Sequence, residues 1–101
     1  MKEFYEKHIN KRNVVCAECG KAIFEVTASN IAHILPKTTF KSVATNDNNF
    51  MYLCLAHHSQ FDTSFRNAQK MKCWSEALKK YNLFKHEVTE HHNILNFFNS
   101  E

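Results

Sequence analysis

The 101-residue sequence holds one glycine, one proline and one tryptophan. It contains no internal repeat and no low-complexity segment, which excludes solenoids, propellers and Pro- or Gly-rich linkers. No apolar run approaches the roughly 20 residues that a membrane-spanning helix needs, so no membrane partner is expected. The opening stretch MKEFYEKHINKRNVV scatters charges and has no apolar run of signal-peptide length, so a cytoplasmic location is the expectation. Charge of one sign is also scarce: 13 Lys and Arg stand against 10 Asp and Glu, and a formal charge of +3 permits a polyanionic partner without demanding one. The length suits one domain over 1–101, with a modest core.

Histidine and cysteine are plentiful by comparison, at seven and four residues. Four cysteines can form two disulfides, but in a reducing compartment clustered cysteines more often bind metal. Cys16 and Cys19 form C-x2-C, and Cys54 and His57 form C-x2-H further on. Each half gives a two-residue bite on one tetrahedral ion, and three thiolates with one imidazole make a standard structural zinc set. Such a site is closed and performs no hydrolysis itself. Cys73, beside Trp74 in an apolar stripe, reads as a packing residue.

The hydrophobic pattern predicts an α+β fold. Phe4, Tyr5, His8 and Ile9 have helical spacing over 3–9. Residues 14–26, with Gly20 just after C-x2-C, read as a tight metal-binding turn between two short extended pieces. The run IAHIL at 31–35 reads as a strand closed by Pro36, the polar stretch 41–49 as a loop, and FMYLC at 50–54 as a second strand paired with the first. From Ser64, the spacing of Phe65, Ala68, Met71, Trp74, Leu78 and Tyr81 predicts one long helix; Phe84, Val88, His91, Ile94, Leu95 and Phe98 predict a second after a break near Asn82 and Leu83. The pair of C-terminal helices is thus expected over about 64–98, behind a core at about 14–66. His91 and His92 read as surface or packing residues. A Phe-rich helical pair can dimerise or cap the core, so the oligomeric state stays open.

In CLAHHSQFD (54–62), assigning His57 to the knuckle frees His58, and Asp62 follows four residues later. On a helix that spacing stacks imidazole and carboxylate on one face, where they can hold one divalent ion or share a weak contact. Asn49 fits a plain turn residue equally well.

The order AHILPK at 32–37, Asn49, then C-x2-H-H resembles the HNH endonuclease family over about Cys16 to Asp62. The resemblance implies a small ββα-metal core with a zinc knuckle, followed here by the helical pair. It further implies that His33 is the general base, that Asn49 ties the loop and orients that base, and that His58 binds the catalytic metal. Asp62 lies where some members, such as the colicin-type nucleases, place another metal-binding histidine. Ala32 departs from the pattern, because the family usually has Asp or His there as a further ligand. Metal-dependent hydrolysis of phosphodiester bonds in DNA, with RNA also open, is therefore expected, with structural Zn²⁺ and catalytic Mg²⁺ or Mn²⁺ on His58 and Asp62. Lys37, Lys41, Arg66 and Lys70 are candidate phosphate contacts. The alternative is a zinc-stabilised nucleic-acid-binding module with weak or no catalysis, which Ala32 favours.

Overall fold

The structure, a computed structural model, describes residues 2–99. Helix α1 (Lys2–Ile9) forms where the sequence predicts it, with Glu3 in its first turn and Lys7 and His8 in its last, so charges complement the helix dipole. Its Phe4 and His8, one helical turn apart, are buried. Asn13 then takes a left-handed backbone conformation (φ 59°). That conformation is tolerable for Asn, and it turns the chain into β1 (Val14–Val15). This pairs antiparallel with β2 (Ala22–Ile23). Between them Cys16–Gly20 closes a turn in which the Gly20 amide donates to the Cys16 carbonyl at 2.8 Å. Gly20 sits at φ 73°. Open space lies where its Cβ would go, so backbone conformation alone calls for glycine.

Strand β3 (Ile31–His33) pairs antiparallel with β4 (Phe50–Tyr52), placing Ile31 opposite Tyr52, Ala32 opposite Met51 and His33 opposite Phe50. Alternation of side chains across a strand divides this hairpin between two apolar clusters. Ile31 and Phe50 join Phe4 of α1, flanked by Tyr5, Ile9 and Tyr52. Ala32 and Met51 belong to the main core with Leu35, Phe40, Leu53, Phe61, Trp74 and Phe84. Both strands are shorter than their apolar runs. The Leu35 amide leaves the ladder for the Asn49 side chain (2.8 Å), and at the other end the ladder closes on one last in-register bond, from the Leu53 amide to the Asn30 carbonyl (2.9 Å).

Cys54 is the N-cap of α2 (Leu55–Thr63), and Ser64 caps α3 (Phe65–Ala68) by accepting the Asn67 amide at 3.1 Å. Here the structure corrects the sequence reading. The long helix predicted from Ser64 to Tyr81 is two helices, α3 and α4 (Trp74–Phe84), separated by a turn over 69–73. The cause lies far along the chain. The Glu18 carboxylate accepts the Lys72 amide at 3.2 Å and the Cys73 amide at 2.8 Å. Amides at a helix start lack partners within the helix, so an acceptor placed there starts a new one. Helix α4 also passes the break predicted at Asn82 and ends at Phe84.

The second C-terminal helix is likewise much shorter than predicted. After a 3₁₀ turn at Lys85–Glu87 the chain is irregular until α5 (Leu95–Asn99). Glu90 accepts the Ser42 amide at 2.9 Å and Glu87 accepts from Asn46 at 3.1 Å, so this segment is tied to the 41–46 loop instead of bonding to itself. Ring packing of Phe98 on Trp74 (4.8 Å between centroids) and Tyr81 (5.0 Å) anchors α5 to the core. The result is a small compact α+β fold with, among the described residues, five α-helices and two small antiparallel sheets. No described helix is long and apolar enough to cross a membrane.

Candidate metal centre and adjoining cleft

The β1–β2 turn and the start of α2 bring Cys16, Cys19, Cys54 and His57 together, with one donor atom of each within 4.8 Å of all the others. The His57 Nδ1 lies 3.2 Å from Cys54 Sγ and 3.7 Å from Cys16 Sγ. A tetrahedral ion at ordinary Zn–S and Zn–N bond lengths requires ligand separations of about 3.5–3.8 Å; the Cys16–His57 separation meets this, the Cys54–His57 separation is a few tenths of an ångström shorter, and the donor set fits zinc in chemistry. The four side chains can hold a metal ion such as zinc. A backbone bond from the Ala17 amide to the Tyr52 carbonyl (2.9 Å) fastens the turn to the end of β4.

Electrostatics at the turn favour a thiolate. Burial pushes the Cys16 thiol up, but hydrogen bonds from the backbone of Cys54, Cys19 and Glu18 and from His57 outweigh it and bring the pKa to about 6. Cys73 is also buried but stands outside the cluster, and its thiol is pushed up to about 12 by burial and then by the Glu18 carboxylate. Glu18 itself is held below the usual carboxylate range, because the Cys73 and Lys72 amides overcome its desolvation.

One residue past His57, the chain turns toward a cleft of about 500 Å³ lined by Tyr5, His33, Lys37, His58, Asp62 and Phe65 among others. The two adjacent histidines use their nitrogens differently. His58 places Nδ1 against the Ser29 carbonyl, which can only accept, so Nδ1 carries the proton. Its Nε2 then faces Asp62 Oδ2 at 3.0 Å, as the i, i+4 spacing on α2 predicts. This separation suits two neighbouring corners of an octahedral sphere with bonds of about 2.1 Å, and Mg²⁺-type ions are commonly held by few protein ligands plus water and phosphate. Among the described residues, however, only the Cys/His cluster assembles three or more metal-binding side chains.

His33 donates from Nε2 to the Ala44 carbonyl at 3.0 Å, which leaves Nδ1 as the unprotonated nitrogen of the neutral ring. Burial is the main cause holding its pKa below 6.5, and the nearby Lys37 and His58 charges act in the same direction against the Ala44 carbonyl. Asn49 is fully buried and accepts the Leu35 amide while donating to the carbonyls of Leu35 and Val43, both at 3.1 Å. It thereby fixes the backbone two residues after His33 and one residue before the Ala44 acceptor, with no hydrogen bond to the imidazole itself.

Of the candidate phosphate contacts, Lys37 lines the cleft, whereas Lys41, Arg66 and Lys70 are exposed and do not. Ala32 is fully buried in the main core, although its neighbour His33 lines the cleft. Sequence reasoning missed Tyr5, which reaches the cleft from α1; its ring lies 6.2 Å from the His33 ring and its hydroxyl accepts from Lys37 Nζ at 2.9 Å. Helical spacing placed Tyr5 on the packed face but carried no sign of what it would meet. Ser29 and Ala44 act through backbone carbonyls and leave no trace in residue type. The chain matches no family model, no curated protein and no solved structure.

Proposed function

We propose that the chain is a metal-dependent endonuclease of the HNH type that hydrolyses phosphodiester bonds in DNA, with a structural zinc on Cys16, Cys19, Cys54 and His57. The observation that carries this reading is one cleft holding a neutral histidine with a free nitrogen, an imidazole–carboxylate pair and a lysine. His33 takes a proton through Nδ1 from a water in line with the scissile phosphorus, a task suited to an imidazole that stays neutral at working pH. Lys37 meets a non-bridging phosphate oxygen. Asn49 and the Ala44 carbonyl keep the His33 ring in one orientation, and His58, oriented by Ser29, presents Nε2 alongside Asp62 to a divalent ion. Mg²⁺ or Mn²⁺ bound by this pair would supply Lewis-acid stabilisation of the charge that develops on the phosphorane and the leaving oxygen.

Plasmid nicking in Mg²⁺ or Mn²⁺ tests the proposal. His33→Ala is expected to lower the rate by roughly 10²–10⁴-fold, the usual range for loss of a general base, while leaving zinc content unchanged. Equal nicking by the two proteins would remove His33 from the mechanism. A second reading, a nucleic-acid-binding module without hydrolysis, is favoured by Ala32, which leaves the second site one side chain short of the family pattern. Absence of nicking across several metals, with salt-sensitive DNA binding retained, would select it.

A further inference from the structure

The β1–β2 hairpin carries, at the end away from its metal-binding turn, a surface that the cleft does not use. Phe24, just after β2, is 99% exposed, and Val15 of β1 is 53% exposed. A groove of about 480 Å³ runs beside them, lined by Lys11, Arg12, Val14, Val15, Ile23 and Phe24, and no acidic side chain lines it. A second groove shares Lys11, Arg12 and the β1 valines and continues to Lys80, whose ammonium lies 5.1 Å over the Phe50 ring. The one carboxylate on that continuation, Asp47, is already engaged by Lys7 at 2.6 Å and His8 at 3.1 Å. Among the described residues, Lys11, Arg12 and Lys80 have no carboxylate within salt-bridge distance.

We infer that this track binds single-stranded nucleic acid, with a base stacked on Phe24 and successive phosphates against Lys11, Arg12 and Lys80. An exposed aromatic ring beside a groove walled by unpaired cations is the arrangement that single strands use. Every unpaired base offers a π face, whereas a duplex keeps its bases stacked inside. The two grooves share a wall, so Lys11, Arg12 and Lys80 lie along one continuous surface. Helix α1 joins this surface to the cleft, since it presents Tyr5 to the cleft and leads directly into Lys11 and Arg12. The inference rests on the nucleic-acid part of the proposed function and not on hydrolysis.

The test is fluorescence anisotropy on the full chain carrying His33→Ala, with short labelled oligothymidine, oligouridine and duplex DNA of equal length. Phe24→Ala is expected to weaken single-strand binding on the order of tenfold and duplex binding less than twofold, with Phe24→Tyr restoring affinity. Lys11→Gln with Arg12→Gln should flatten the slope of log affinity against log salt by about 1.4. Because Phe24 is exposed, an unchanged melting temperature is expected and separates loss of binding from loss of fold. Unchanged single-strand affinity in Phe24→Ala would overturn the inference, as would an equal loss on duplex. Concentration-dependent self-association that Phe24→Ala abolishes, with oligonucleotide affinity intact, would overturn it in favour of a surface for a second copy. Failure of the wild-type chain to nick plasmid, with the Phe24 effect present, would defeat hydrolysis and leave the track standing; no binding to any nucleic acid would defeat both.

Discussion

His57 and His58 are neighbours on one helix, yet they serve sites of opposite character. The His57 cluster gathers four metal-binding side chains from two distant chain segments and needs nothing else to satisfy an ion. The His58 pair supplies two donors, one of them on an exposed aspartate, in an open cleft. A full donor set organises the fold, and a partial one leaves positions for water and substrate. The difference teaches that ligand count separates a structural metal centre from a candidate reaction centre even where the ligands are adjacent in sequence.

Removing the metal should break this comparison most severely. Zinc binding in such sites contributes on the order of 10 kcal/mol of folding free energy, similar to the whole stability of a small domain. Chelation, or Cys16→Ser, should therefore abolish the cooperative thermal transition seen by circular dichroism. A retained transition would show that the apolar core suffices. Ala32→Asp probes the deficit of the second site directly. Its position is fully buried in the main core. The carboxylate should therefore cost about 3 kcal/mol or more in denaturant unfolding and bring no gain in metal affinity. Tighter Mn²⁺ binding in that variant would mean that position 32 can reach the cleft.

Glu18→Ala should act more gently, because it leaves two amides, those of Lys72 and Cys73, without their acceptor. Denaturant unfolding should register a loss of about 2 kcal/mol. Zinc content measured in the same variant should stay at one ion per chain. The smallest effect is the pH response of His33. Its folded pKa lies below 6.5, so the unfolded chain binds a proton more readily at mildly acid pH. The stability gained from a neutral His33 is fully present above pH 6.5 and is lost as pH falls through the lowered folded value. Subtracting the melting curve of His33→Ala from that of the wild type, pH by pH, should isolate a destabilisation that grows below pH 6.5, and the acid limb of plasmid nicking should fall in the same range.

What could be read in the sequence was whatever local spacing determines. The C-x2-C and C-x2-H bites, the i, i+4 contact of His58 with Asp62, helix α1 and the two central strands each follow from separations of a few residues, and the polar loop between those strands pointed to their pairing. The errors arose where a distant partner intervened. Ala68, Met71 and Trp74 stay buried across the turn between α3 and α4, so the apolar period runs straight through a break that Glu18 imposes from 54 residues away. The same holds for 85–94, whose glutamates serve the 41–46 loop. Periodicity records which face is buried and says nothing of where the backbone amides find acceptors.

The placement of both histidines at the start of α2 has a further consequence. Each residue of an α-helix advances the side chain by about 100°, so His57 and His58 are held at a fixed phase around one axis. Inserting a single residue between Cys54 and His58 would turn the second imidazole, and Asp62 with it, away from Ser29 and the cleft, or else turn the first away from the thiolates. A four-residue insertion after His58 would come close to a full turn and would mainly displace Asp62. Tolerance to insertion along α2 should thus be set by angle more than by length, with single-residue changes the most damaging of all.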